Sequence, residues 1–455
     1  MNGESKTTFV REALTPARKA PIVTTGLIGF LRTRLFNSPL NIALTFSSIA
    51  LLWFVLEPTI RFLLIDAVWQ GTDRNACLAQ NAGHPVGACW PFIQAKFMQL
   101  IYGFYPEDQR WRANLTFALG ALLLAPLLVP KIPGKALNAG LFFVAFPFLA
   151  FFLLRGGGLN GFAFYWLAEI FGAAWKPSLT RFWLDFSLTT TVVTAAIIWL
   201  WGGWLNGRRA GLVVALCFAG IAVVIEALHL DRGGLPAVDT REWGGLLVTL
   251  VVSITGIVAS MPVGIALALG RTSRIPLLRA FSIAFIEFWR GVPLITVLFF
   301  ATYMLPLFLP GDFTIDGLVR VLVGIALFAG AYNAEVIRGG LLAIPRGQRE
   351  AANALGLSYW KTTGLIVLPQ ALRHVIPSLV NSFIALFKDT TLVLIVAIFD
   401  LLGQLRAAFA DPNWATPTTL FTGFAFTGII YWVGCFAMSR YSLFVERRLN
   451  AHRRT

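Results

Sequence analysis

Residues 350–369 read EAANALGLSYWKTTGLIVLP, and this stretch separates two long apolar segments of the chain. Its first part predicts a short helix over Gln348–Leu355, because alanine is the best helix former and occurs there repeatedly. These small side chains let the surface of another protein approach the helix backbone closely. Gly356 follows the helix and permits the left-handed conformation in which a chain turns sharply. The sequence therefore predicts a helix that ends in a tight turn.

A second short helix is predicted over Tyr359–Leu368, directly after the turn. Ser358 can cap its first turn, and Pro369 is expected to end the helix because proline cannot continue one. Together the two helices form an L-shaped projection within residues 344–373, which we call the projecting loop. It is too polar and too rich in Gly and Pro to span a bilayer.

Apolar runs on both sides of the projecting loop are typical of a membrane protein. Of the 455 residues, 57% are hydrophobic and only 13% are charged, whereas soluble domains average about 25% charged residues. A hydrocarbon core about 30 Å thick takes roughly 20 helical residues to cross. The sequence predicts an all-α fold with about ten transmembrane helices: Asn41–Ile65, Asn114–Pro130, Ala136–Leu154, Phe186–Leu205, Ala210–His229, Trp243–Gly270, Phe281–Leu305, Gly317–Leu342, Val375–Asp400 and Pro417–Ser439.

Basic residues indicate the orientation of these spans. With the tail before Asn41 in the cytoplasm, inner segments hold roughly twice as many Lys and Arg residues as outer ones, as the positive-inside rule requires. Both termini and the projecting loop are then cytoplasmic. The net charge of +15 reflects this asymmetry, so we expect the lipid bilayer and not nucleic acid as the partner of the basic residues.

The chain divides near residue 240 into two unlike halves. The first half carries five predicted spans and two long, Trp-rich outer loops; Gly158–Trp175 is interpreted as interfacial or re-entrant, because a spanning segment would reverse the charge asymmetry. The role of this half stays open. The predicted divisions are a tail at 1–40, an extension at 41–240, a transmembrane domain at 241–448 and a tail at 449–455.

The projecting loop resembles the signature loop of the membrane subunits of binding-protein-dependent ABC importers. The match covers every fixed position of that signature: Glu350, Ala351, Ala352, Gly356, Ile366, Leu368 and Pro369. The resemblance implies a five-helix type I importer permease core in the bacterial inner (plasma) membrane. It also implies that the loop docks on a separate ATPase subunit and transmits its closure to the membrane helices.

Flanking segments of the second half are similar to those of permeases for polar amino acids, the histidine/glutamine/glutamate/general L-amino acid group. These segments begin at Gly245, Phe285, Ala331 and Phe387. The five additional spans are similar to the longer permeases of glutamate/glutamine/aspartate/asparagine or general L-amino acid importers. The preferred amino acid stays open, because selection in such systems rests largely with the binding protein.

The partners and cofactors follow from the same resemblance. The sequence contains no Gly-x4-Gly-Lys-Ser/Thr phosphate loop, so we expect no ATP hydrolysis by this chain alone. Its four histidines are too scattered for a metal site, and we expect no bound cofactor. ATP and Mg would be used by partner ATPase subunits. A second permease chain, identical or homologous, and a periplasmic amino-acid-binding protein would complete the importer.

Ionisable residues inside a helix bundle usually face its interior or a water-filled path. Seven residues are candidates for the substrate path: Glu287, Arg290, Glu335, Arg338, Lys388, Asp389 and Thr390. Lys388 and Asp389 lie half-way along a predicted span whose length, about 39 Å if straight, favours a break. A free amino acid carries both signs of charge, as this pair does. The alternative is that each charged pair, Glu287/Arg290, Glu335/Arg338 and Lys388/Asp389, neutralises itself structurally.

Cys77 and Cys89 fall in one predicted periplasmic loop, where oxidation is possible. The sequence predicts a disulfide between them. Cys217 and Cys435 lie in apolar spans and are interpreted as inert.

Two other classes of protein were weighed against the importer. A secondary transporter driven by an ion gradient would show internal repeats with matching broken helices, and the two halves of this sequence are unlike. A membrane-embedded enzyme would need a polar catalytic cluster, which the sequence does not present. The leading prediction is the permease subunit of an ATP-driven amino-acid importer.

Overall fold

The computed structural model describes residues 26–83, 85–129, 135–157, 234–308 and 315–450, with positions 132, 220, 223 and 227. Apart from those isolated positions, the predicted spans Phe186–Leu205 and Ala210–His229 and the segment Gly158–Trp175 lie outside the described residues. The described part of the chain is helical and contains isolated bridges but no strand. The all-α prediction is confirmed.

Seven helices in the described residues are long and apolar enough to cross a membrane. They correspond to seven of the predicted spans: Pro39–Ile65, Glu107–Leu128, Asn138–Arg155, Gly245–Arg271, Gly317–Leu342, Tyr359–Val396 and Thr419–Arg448. An eighth predicted span forms two helices joined by a sharp bend.

The described residues within 1–92 and 416–422 form the first of two compact units. Its described helices are α1 (Gly26–Phe30), α2 (Pro39–Ile60) and α3 (Ala79–Ala82). Ser38 caps α2 by accepting a hydrogen bond from the Asn41 backbone N–H at 3.2 Å. No residue of α2 is buried, which suits a helix whose neighbours are lipid tails as apolar as its own side chains.

The described residues within 93–415 and 423–455 form the second unit. Two of its helices, the first and the last, begin within the first unit. Its described helices are α4 (Trp90–Tyr102), α5 (Arg110–Leu128), α6 (Lys135–Gly140), α7 (Phe146–Arg155), α8 (Gly245–Arg271), α9 (Pro276–Gly291), α10 (Leu294–Phe299), α11 (Gly317–Leu342), α12 (Arg346–Ala354), α13 (Tyr359–Lys361), α14 (Leu368–Asp389), α15 (Leu401–Ala408) and α16 (Thr419–Asn450).

Small residues let α8, α11 and α14 pack closely at the centre of this unit. A Cβ added to Gly264 of α8 would lie 3.0 Å from the Asn333 Cβ of α11, and one on Gly340 would lie 2.6 Å from the Ala371 carbonyl oxygen of α14. Helices in membranes associate through such small residues because their backbones can then approach. These three helices position the candidate site.

Two apolar clusters stabilise opposite ends of this bundle. One contains Leu247 near the start of α8, and the other contains Leu267 near its end together with Ile337 and Ala371. The second cluster also includes Ile344 and Val367, so it reaches the base of the projecting loop.

The predicted span Phe281–Leu305 is not one continuous helix. The chain forms α9 and α10, which meet at an angle of 101°. Val292 and Pro293 between them are extended, with ψ of 133° and 142°. Proline disfavours helical backbone at the residue before it, and the apolar composition of the run hid this break.

Candidate functional site

The tight turn of the projecting loop forms as predicted. Gly356 has φ +73°, its N–H donates to the Asn353 carbonyl at 2.9 Å, and the Leu357 N–H donates to the Ala352 carbonyl at 3.1 Å. This pair of hydrogen bonds is the Schellman motif that closes a helix. A Cβ on Gly356 would meet no atom within 4 Å, so only the backbone conformation favours glycine there.

The second helix of the projecting loop does not end at Pro369, and that prediction is wrong. Ser358 occupies the N-cap position without a capping side-chain hydrogen bond. The helix then continues through a π-helical stretch, Thr362–Val367, into α14. Proline is tolerated in the first turn of a helical segment because its missing N–H has no required partner there, and Gln370 Nε2 donates to the Ile366 carbonyl at 2.9 Å.

The consequence is one 38-residue helical element, Tyr359–Val396, that joins the projecting loop to the membrane. The predicted start of the span at Val375 was too late, because the polar composition of residues 369–374 hid the continuity.

Apolar side chains of the projecting loop point in two directions. Ala352 is buried, and Ile344 and Val367 belong to the apolar cluster that contains Leu267 at the end of α8. In contrast, Leu355 is 79% exposed and Trp360 is 74% exposed. Large apolar side chains left exposed on a polar loop are typical of a protein-interaction surface.

Four of the seven candidate residues for the substrate path lie together near the inner end of α8. Glu335 Oε1 lies 2.8 Å from Arg271 Nη1, and Glu335 Oε2 lies 2.9 Å from Arg338 Nη2 and 4.0 Å from Arg290 Nη1. Glu287 lies 2.9 Å from Arg271 and so pairs across two helices instead of with Arg290. We call these five residues the inner charge cluster. Sequence reasoning missed Arg271, which no local spacing links to Glu335.

Lys388 and Asp389 lie where α14 ends and the helical element continues as a 3-10 helix. We call this change of helix type, which falls where a break was predicted, the break. A 3-10 helix, Thr390–Val396, follows, and the hydroxyl of buried Thr390 donates to the Phe387 carbonyl at 2.8 Å. Leu386 contacts the Gly256 position of α8, which places this break near the middle of α8. Lys388 is exposed and Asp389 half-buried. A charge at that depth avoids lipid.

The seven candidates thus form two groups and not one site. Along α8, Lys388 lies near the level of Gly256, whereas the inner charge cluster lies at the level of Arg271. Along α8 these levels are about 22 Å apart at the rise of an α-helix.

A buried polar network just beyond the break was not anticipated from the sequence. Asp400 is fully buried, and its carboxylate accepts hydrogen bonds from the Gly403 N–H at 2.9 Å and the Tyr431 hydroxyl at 3.0 Å. The Leu401 N–H donates to the Thr249 hydroxyl at 3.0 Å. The network fixes the chain after the break to α8 and α16. The sequence carried one indication of this network, because Asp400 directly precedes a short helix and aspartate is a preferred N-cap residue.

Cys77 and Cys89 are joined by a disulfide in the first unit, with Cα atoms 5.7 Å apart. Both residues are buried. The rings of Trp69 and Trp90, which are near the two cysteines in sequence, stack with their centroids 5.7 Å apart. Cys435 is a free, half-buried cysteine. Cys217 lies outside the described residues.

Comparisons with known proteins agree with these features. Residues 260–451 match the family described as binding-protein-dependent transport system inner membrane component. The chain is 39% identical to the inner membrane amino-acid ABC transporter permease protein YhdY of Escherichia coli (strain K12), over 96% of this chain and 97% of that protein. It is 41% identical to the glutamate/glutamine/aspartate/asparagine transport system permease protein BztC of Rhodobacter capsulatus, over 99% and 100%.

Among solved structures, the chain is similar to one titled "Crystal structure of an amino acid ABC transporter with histidines", with 27% identity, 45% of this chain and 92% of that chain covered, and a TM-score of 0.39. The two permease relatives match the chain over nearly its whole length, so its N-terminal extension is shared with them. The family prediction is confirmed: this chain is a multi-pass inner-membrane protein and belongs to the permease subunits of binding-protein-dependent amino-acid ABC transporters.

Proposed function

We propose that this chain forms the translocation path of an ATP-driven importer for polar L-amino acids and couples that path to a separate ATPase through the projecting loop. The substrates glutamate, glutamine, aspartate and asparagine are supported by one full-length relative, BztC, which is a permease of a transport system for these four amino acids. A broader amino-acid range is the alternative. The chain itself catalyses no reaction, and the partner ATPase subunits use ATP and Mg.

The observation that carries this proposal is the continuity of Tyr359–Val396. One end of this element lies in the projecting loop, beside the exposed side chains of Leu355 and Trp360. Its other end contains the break at Lys388 and Asp389. An ATPase that moves the loop would therefore move the break, as coupling of ATP hydrolysis to transport requires.

The exposure of Lys388 supports a second permease chain. Because an ionised side chain at membrane depth is costly against lipid, the exposed face that carries Lys388 needs water or protein beside it. A path between this chain and an identical or homologous one supplies both. Lys388 and Asp389 would face the carboxylate and the ammonium of the amino acid, and Thr390 would hold the break in place.

The inner charge cluster has a different role in this proposal. Its ion pairs join α8, α9 and α11 at one level, and its carboxylate Glu335 is already shared among three arginines. Glu287, Arg290, Glu335 and Arg338 would therefore brace the inner helix ends and leave substrate contacts to the residues near the break.

The orientation of the chain in the membrane follows from the side on which the projecting loop meets the ATPase. If the ATPase is cytoplasmic, both termini are cytoplasmic, and the Cys77–Cys89 disulfide lies on the periplasmic side with the amino-acid-binding protein. A membrane-impermeant thiol reagent should then label Cys77 and Cys89 in spheroplasts only after reduction. Labelling of both without reductant would contradict this placement.

Photo-crosslinking tests the docking most directly. A benzophenone amino acid replaces Leu355 in the projecting loop or, as a control, Leu307, which is equally exposed at 79% but follows α10 at the opposite end of the bundle. Irradiated membranes should yield an adduct with the ATPase from position 355 and none from position 307. Absence of the adduct at 355 in membranes that transport, or equal adducts at both positions, would refute the docking.

A further inference from the structure

A cavity of about 620 Å³ opens at the inner end of the bundle, between α8, α9, α11 and α12. Five arginines line it: Arg271, Arg279, Arg338, Arg346 and Arg349. Apolar side chains, including Ile283 and Leu341, form the rest of its wall, and no carboxylate is among the lining residues. We call this space the arginine cavity.

The positive charge of the arginine cavity is only partly neutralised. Arg271 and Arg338 pair with the glutamates of the inner charge cluster. Arg279, Arg346 and Arg349 form no ion pair with any residue that the structure describes. Like charges around one space repel each other, and because Arg279, Arg346 and Arg349 are exposed, water weakens this repulsion without removing it. An anion in the cavity would remove that cost.

The start of α12 adds to the attraction for an anion. Arg346 and Arg349 lie in the first turn of this nine-residue helix, and Pro345 at its N-cap provides no side-chain acceptor. Positive residues in a first turn oppose the helix dipole, whose N-terminal end attracts negative charge. The free N–H groups of a first turn are a common phosphate-binding element. Two independent features therefore favour an anion at the same place.

We propose that the arginine cavity binds a phosphate group, either in the headgroup of an anionic phospholipid or as a free phosphate. Guanidinium groups match phosphate oxygens through paired hydrogen bonds, which favours phosphate over a simple monovalent anion. The bound phosphate joins the projecting loop, through Arg346 and Arg349, to the first turn of α9, through Arg279. It fixes the angle at which α12 leaves the bundle.

The apolar side of the cavity is consistent with a lipid source. Leu277 is 81% exposed and Phe281 is 61% exposed on α9, close in sequence to Arg279, and Leu342 beside the cavity is 65% exposed. Acyl chains could lie against these side chains while the headgroup reaches the arginines. The inference uses the proposed function only to place this end of the bundle at the cytoplasmic surface.

The test uses the purified full-length chain, with the subunits that copurify, in nanodiscs of phosphatidylcholine. One arm replaces part of the lipid with phosphatidylglycerol, and the other adds inorganic phosphate to phosphatidylcholine nanodiscs at constant ionic strength. The thermal unfolding midpoint is measured for wild type, for Arg279→Gln with Arg349→Gln, and for Arg274→Gln. Arg274 is an exposed arginine of the nearby loop between α8 and α9, and it does not line the cavity.

At least one arm should raise the midpoint in wild type and in Arg274→Gln, with an apparent affinity at least about tenfold weaker in the double variant. A response to phosphatidylglycerol alone identifies a lipid, and a response to phosphate alone identifies a free anion. No response of wild type in either arm, or equal responses in all variants, overturns the proposal. If the double variant fails to fold, Arg346→Gln takes its place and the same criteria apply.

Loss of the ATPase from the purified double variant, with unchanged lipid and phosphate responses, would identify the cavity as part of the ATPase interface and would overturn the anion site. The midpoint shift needs neither transport nor ATP, so it is independent of the crosslinking at Leu355. A failed crosslink with an intact midpoint shift refutes the docking and keeps the anion site.

Discussion

Arg271 and Glu335 join the inner ends of α8 and α11 through an ion pair of 2.8 Å. The Glu335 side chain is only 16% exposed, and the same carboxylate also faces Arg290 and Arg338. The Glu335 carboxylate is largely shielded from water and is shared among arginines of three helices. It therefore determines how those helix ends are arranged.

Glu335→Gln should destabilise the folded chain, because it leaves three guanidinium groups close together without the shared carboxylate. Removing one partner of a fully buried ion pair costs about 3–5 kcal/mol, and partial exposure here reduces the expected loss to about 2 kcal/mol. Thermal unfolding in detergent measures the difference. Glu287→Gln is the control, since Glu287 is 56% exposed and lies near Arg271 alone; equal losses for the two variants would contradict the shared role of Glu335.

Gly356→Ala should weaken the contact between the projecting loop and the ATPase while the chain still inserts normally. The substitution meets no neighbouring atom, so its cost is the strain of a non-glycine residue at positive φ, about 1–2 kcal/mol. Amino-acid uptake and binding-protein-stimulated ATP hydrolysis should both fall. Gly347→Ala is the matched control, because Gly347 lies in α12 with equal free space and no positive φ. Unchanged uptake in Gly356→Ala would show that the turn does not set the docking.

Lys388→Ala should lower amino-acid uptake at least about tenfold, because it removes the cation from the break and leaves Asp389 without its nearest positive charge. Misassembly is separated from lost transport by the double variant Lys388→Ala with Asp389→Ala. If the two residues contact substrate, the double variant assembles at wild-type levels and uptake stays low. Full uptake by the double variant would show that the pair is only structural.

Asp411 and Lys96 form an ion pair of 2.6 Å outside the spanning helices. A hydrogen bond from Lys96 lowers the pKa of the Asp411 carboxyl below its ordinary value, and the backbone N–H of Asn413 adds to this effect. Because the pKa is lowered in the folded state, the stabilisation is present above the ordinary pKa and is lost as pH falls through the lowered one.

The unfolding midpoint of wild type should therefore exceed that of Asp411→Asn at neutral pH, and the two should converge in the pH range below about 3.9. Lys96→Gln should show the same convergence, since it removes the donor of the same pair. A difference that stays constant down to that range would contradict the assignment of the pKa shift to Lys96.

Local chemistry explains which parts of the site could be predicted from the sequence. The turn at Gly356 depends on residues adjacent in the chain, and the spans depend on the length of apolar runs, so both were predicted. The break after Asp389 was predicted from helix length, although its 3-10 continuation was not.

Features that depend on distant residues or on small backbone adjustments were missed. The bend at Val292 and Pro293 lies in an apolar run, where hydropathy gives no warning. The passage of the helix through Pro369 depends on the preceding π-helical stretch. The pairing of Arg271 with Glu335 depends on the close packing of α8 and α11 through their small residues.

The central claim is that this chain moves amino acids with energy from a separate ATPase. The direct measurement is uptake of labelled glutamate and glutamine into proteoliposomes that contain the purified complex, with ATP and Mg inside and the binding protein outside. Uptake should require ATP, persist when ionophores collapse every ion gradient, and fall to background without the ATPase subunit. Uptake into ATP-free proteoliposomes driven by an imposed ion gradient would contradict the claim and identify a secondary transporter.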